Sequence, residues 1–77
     1  MRIVVFTKDQ CPNCVSAKNL LKSKNLEYIE KNVQEAEFFN ELLTLYPDAR
    51  QLPQIFIDEQ RVGGYSGLQA ALKQLNL

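Results

Sequence analysis

At 77 residues the chain has room for one modest hydrophobic core, near the size at which a core supplies only about 3 to 5 kcal/mol, so one domain spanning residues 1–77 is expected and a second is excluded. Nine Lys and Arg balance nine Asp and Glu, which leaves no basic footprint for nucleic acid or an anionic membrane. The longest apolar runs are four residues, against the roughly 20 of a membrane span, and no signal-peptide h-region precedes the first strand. A soluble, cytoplasmic chain is the expectation.

Residues 2 to 7 are rich in Ile, Val and Phe with little alternation, which predicts a strand buried on both faces. From Cys14 the positions Cys14, Ala17 and Leu21 recur at helical spacing with Val15 and Leu20 beside them. Lys18, Lys22 and Lys24 fall outside that stripe, so an amphipathic helix is predicted to end near Asn25. Tyr28 and Ile29 mark a second strand at about 27–32. Phe38, Leu42 and Leu45, with Phe39, Leu43 and Tyr46, predict a second helix from about Gln34 to Tyr46, stopped by Pro47. Its Phe38, Phe39, Leu42, Leu43 cluster is expected in the core.

Gln54-Ile55-Phe56-Ile57 reads as a third strand, Asp58 to Gln60 as a hairpin-length connection, and Arg61-Val62-Gly63 as a short fourth strand. A third helix is predicted from Ser66, with Leu68, Leu72 and Leu75 at helical spacing. The order is therefore β-α-β-α-β-β-α: an α/β domain with parallel crossovers first and an antiparallel hairpin last.

Chemistry concentrates in Cys11-Pro12-Asn13-Cys14, which holds the only two cysteines. A bridge between them closes so short a loop that it removes little denatured-state entropy, so redox chemistry is the better reason for the pair. With Cys11 at or just before the helix N-cap, its sulfur faces unpaired N–H groups and the positive end of the helix dipole. Pro12 suits the first helical position. Lys8 adds a cation nearby. Such surroundings bring a thiol from about 8.5 to roughly 3.5 to 7.5, so Cys11 is expected to be a thiolate at neutral pH and to attack, while the deeper Cys14 resolves the mixed disulfide. The chain has no histidine, so Cys-His acyl transfer lacks its base. A structural zinc site usually takes four Cys or His ligands and this chain offers two, although metal or a cluster shared between two chains stays open.

Leu52-Pro53 has two readings: a proline opening an edge strand, or a cis bond that turns the Leu52 backbone toward a ligand beside the cysteines. Gly63-Gly64 can end a strand or admit a ligand close to the backbone. Ser66 can cap the helix, whose first N–H groups could hold a carboxylate.

Thr7-Lys8 before Cys11-Pro12-Asn13-Cys14, the stretch Leu52-Pro53-Gln54-Ile55-Phe56-Ile57, Gly63-Gly64 and the element order together resemble the glutaredoxins over nearly the whole length. The resemblance implies a thioredoxin-like fold, with a four-stranded mixed sheet flanked by three helices, and a cis Pro53. It also implies Cys11 as nucleophile and glutathione as electron donor. Lys8 and Arg50 would meet the glycine carboxylate of glutathione, Leu52 and Pro53 would offer the pairing backbone, and Gly64, Tyr65 and Ser66 would surround the γ-glutamyl end.

The sequence departs from the family at Asn13, often tyrosine, and at Gly67, often an aspartate that pairs with the γ-glutamyl ammonium. Arg50-Gln51-Leu52-Pro53 and Tyr65-Ser66-Gly67-Leu68 resemble instead the glutaredoxin-like redoxins that serve ribonucleotide reductase and are recharged by thioredoxin reductase. The implied function is that of a monomeric, metal-free dithiol oxidoreductase acting on protein disulfides or glutathione mixed disulfides. Ribonucleotide reductase is a plausible client, and glutathione reductase or thioredoxin reductase stands behind the donor. The alternative from a different class is a dimeric [2Fe-2S] carrier using Cys11 with glutathione.

Overall fold

Strand β1 (Ile3–Thr7) is buried along its whole length because both of its faces are covered. Alternate side chains of a strand point to opposite faces, so Ile3 and Val5 enter one apolar cluster and Val4 and Phe6 another. The computed structural model describes residues 1–77, with α1 (Pro12–Ser23), β2 (Ile29–Asn32), α2 (Ala36–Leu45), β3 (Gln54–Ile57), β4 (Gln60–Gly63) and α3 (Tyr65–Gln74) following in that order. The strands form one sheet, β2-β1-β3-β4, with β1 parallel to β2 and antiparallel to β3, and with β3 antiparallel to β4. This is the expected mixed, thioredoxin-like arrangement. No helix is long and apolar enough to cross a membrane.

The larger cluster joins Ile3, Val5, Ile55 and Ile57 to Ala17 and Leu21 of α1 and to Leu68 and Leu72 of α3. On the opposite face α2 contributes only Leu42, against Val4, Phe6 and Phe56, with the Phe6 and Phe56 rings edge to face at 5.7 Å. One helix covers that face, and a single stripe of it suffices. The expectation that Phe38, Phe39, Leu42 and Leu43 are all core is therefore corrected: Leu42 is buried, Phe38 and Leu43 are half-buried, and Phe39 is exposed.

Several boundaries move for local reasons. Strand β2 starts at Ile29 rather than near residue 27, because Leu26 and Tyr28 pack against the larger cluster instead of joining the sheet. The Asn32 side chain accepts from the Gln34 N–H at 2.9 Å, an Asx turn that delays α2 to Ala36. Asp58 and Glu59 form the two-residue hairpin loop with φ of 49° and 71°, which draws Gln60 into β4. Helix α3 begins at Tyr65 with Gly64 as its N-cap and no side-chain cap, so Ser66 does not cap the helix as expected.

Candidate active site

Strand β1 delivers the chain to an exposed loop, residues 8–10, that is pinned from across the chain. The Asp9 N–H donates to Gln34 Oε1 at 2.8 Å, and Asp9 Oδ1 accepts from Asn32 Nδ2 at 3.0 Å. Gln10 adopts φ 55°, and Cys11 then returns to extended backbone as the N-cap of α1, with Pro12 at the first helical position. A serine or aspartate oxygen usually accepts the orphan N–H groups at such a cap. Here the sulfur does it: the Cys14 N–H donates to Cys11 Sγ at 3.2 Å. The two cysteines are joined in a disulfide with their Cα atoms 5.2 Å apart. Both are buried, Cys14 at 1% exposed and Cys11 at 7%, and only Cys11 lines the open cavity described below.

The N–H aimed at Cys11 Sγ favours the thiolate over the thiol.

Opposite the cysteines lies the segment leading to β3. The Leu52–Pro53 peptide is cis, and the Leu52 carbonyl oxygen stands 3.6 Å from Cys11 Sγ. Lys8, Cys11, Arg50 and Leu52 line one open cavity of about 470 Å³, so four of the residues singled out from the sequence do meet. Its lining carries two cations and no carboxylate. Neither Pro53, whose side chain is buried, nor Gly64 at the end of β4 lines it; a Cβ built on Gly64 would lie 3.6 Å from the Pro53 carbonyl oxygen, an ordinary contact. Tyr65 instead packs against the larger core cluster, and Ser66 is exposed on α3; neither lines the cavity.

Gly67 has a steric reason absent from any local pattern. A Cβ there would collide with the backbone carbonyl oxygen of Val62 and come within 2.9 Å of its carbon. The first turn of α3 presses on the β4 backbone, and no side chain of any kind fits between them. No three His, Cys, Asp or Glu side chains converge anywhere as a metal site.

Gln54 was not singled out from the sequence, yet it braces the wall facing Cys11. Only 6% exposed, its Nε2 donates to the Gln51 carbonyl at 2.9 Å, and its Oε1 lies 3.5 Å from Arg61 Nη1. The Arg61 guanidinium in turn sits 4.2 Å over the Tyr46 ring. The available signal was an amide opening an otherwise apolar buried strand. Buried polar groups are hydrogen-bonded, so such a residue implies a partner.

The glutaredoxin family model matches residues 3–62. The chain is 37% identical over 70 residues to glutaredoxin 1 of Rickettsia bellii, covering 86% of this chain and 71% of that protein. It is 35% identical over 68 residues to glutaredoxin 3 of Escherichia coli, covering 88% and 82%. The structure of reduced Escherichia coli glutaredoxin superposes with a TM-score of 0.79 at 29% identity, over 100% of both chains.

Proposed function

The chain belongs to the glutaredoxin family of thiol–disulfide oxidoreductases, and from that premise we propose that it reduces protein disulfides and glutathione mixed disulfides with glutathione as its electron donor. The observation that carries the reading is the meeting of Cys11 with the Leu52 carbonyl under the cations Lys8 and Arg50. In this reading Cys11 attacks one sulfur of the client disulfide. That S–S bond breaks, the first client sulfur leaves as thiolate, and a mixed disulfide forms. Cys14 then attacks Cys11 Sγ and releases the second client sulfur, closing the Cys11–Cys14 bond. Two electrons and two protons pass to the client. Two glutathione thiols return them, opening the Cys11–Cys14 bond and leaving as one glutathione disulfide.

Lys8 and Arg50 suit the glycine carboxylate of glutathione, and the Leu52 backbone with Pro53 suits its peptide. The γ-glutamyl end would extend past the cavity's lining toward Gly64, Tyr65 and Ser66, as the resemblance implies. The protein acts as a single monomeric domain, residues 1–77, in the cytoplasm, with ribonucleotide reductase among its clients. Gly67 favours a second reading, recharging by thioredoxin reductase, because the position that would pair the γ-glutamyl ammonium has no room for a carboxylate.

NADPH oxidation with a model disulfide decides between them when glutathione plus glutathione reductase is compared with thioredoxin reductase, with Cys11→Ser as control. Turnover with glutathione is the expected result. Turnover with thioredoxin reductase alone moves the chain to the second reading, and turnover with neither defeats both.

A further inference from the structure

Arg50, Gln51 and Leu52, which line the redox cavity, also line a second groove together with Val33, Phe39, Leu42, Leu43 and Ala49. Its volume is about 130 Å³, and its one charged lining residue is Arg50. A cavity of about 150 Å³ lined by apolar side chains holds a benzene, so this groove takes one aliphatic or aromatic side chain. The groove accounts for apolar surface on α2 that the core leaves uncovered, since Phe39 is 46% exposed beside the half-buried Leu43.

We propose that the groove receives one apolar side chain from the client protein, on a residue flanking the reacting cysteine, in a segment that also carries acidic residues. The inference rests on the thiol–disulfide reading above and specifies its client. Two observations carry it. Leu52 walls both spaces, with its carbonyl 3.6 Å from Cys11 Sγ, so a chain whose sulfur has reached Cys11 has the groove beside it. The linings of the two neighbouring cavities carry Lys8 and Arg50 and no carboxylate, so the segment they attract is acidic. A second copy of this chain is a poor occupant, because a stable interface buries about 1,600 Å² in total and this groove admits one side chain.

The test uses reduced protein in single turnover, which removes the recharging system from the question. Three disulfide peptides are compared: one acidic with Leu beside the reacting cysteine, one with Ser in its place, and one with Leu and with Lys replacing the acids. The acidic Leu peptide is expected to react about tenfold faster than the Ser peptide and faster than the Lys peptide. Phe39→Ser, at an exposed position the fold does not need, is expected to erase the Leu preference while leaving the rate with a small dihydroxy disulfide unchanged; Leu43→Ser repeats the test. Equal rates for Leu and Ser peptides on the unaltered protein overturn the proposal without any variant. So does a Leu preference that survives both substitutions, or a dimer in sedimentation that Phe39→Ser dissolves. Failure to reduce even the small disulfide defeats the thiol–disulfide reading itself, a separate outcome.

Discussion

Gly67→Ala is expected to lower the midpoint of thermal unfolding by roughly 8 to 16 °C. Away from a close contact, replacing a helical glycine by alanine gains up to about 1 kcal/mol from helix propensity. Here the new methyl meets the Val62 carbonyl, and a backbone obstacle cannot rotate away as a side-chain tip can. Overpacking typically costs about 1 to 3 kcal/mol; the backbone contact places this case at the upper end, and the propensity gain of about 1 kcal/mol brings the net cost to about 2 kcal/mol. For a domain of this size each kcal/mol moves the midpoint by about 4 to 8 °C. The sign therefore decides the question, and a circular dichroism melt reads it: an unchanged or raised midpoint means that α3 can slide off β4. Gly67→Asp carries the same Cβ and is expected to be destabilised at least as much. Restoring the family's carboxylate at this position thus costs the fold before it can help glutathione.

Cys11→Ser is expected to abolish disulfide turnover completely, whereas Cys14→Ser loses turnover of protein disulfides but still forms the first covalent bond. The difference follows from position. Cys11 lines the open cavity and accepts the Cys14 N–H, while Cys14 is sealed behind it at 1% exposure and is reached from Cys11 alone. Intact-mass measurement after mixing with a client disulfide should find a mixed disulfide on Cys14→Ser and none on Cys11→Ser. Adduct on Cys11→Ser would reverse the assigned roles.

Much of this protein was legible because it is local. The N-cap placement of Cys11 with Pro12 behind it, the strand Gln54–Ile57 and the element order depend on residues within a few positions of one another, where side-chain spacing and proline geometry leave little freedom. Cys11 and Cys14 were identifiable for the same reason. Periodicity marked α2 as amphipathic, but it could not say how much of the apolar stripe a neighbour would cover. Leu42 alone is buried because one helix lies on that face of the sheet, and Phe39 is left outside.

The remaining features were decided in three dimensions. Gly67 looks like a weak helix residue until α3 is set against the Val62 carbonyl. Gln54 looks like a polar strand end until its amide reaches Gln51 and Arg61. The bonds from Asp9 to Asn32 and Gln34 cross more than 20 positions of chain to hold the loop before Cys11. Sequence by itself determined the order of elements, the cysteine pair and its place at a helix start, because those rest on short-range backbone geometry. Which side chains meet across the fold, and where a Cβ has no room, depends on the approach of segments distant in the chain, and only the packed tertiary structure sets that distance.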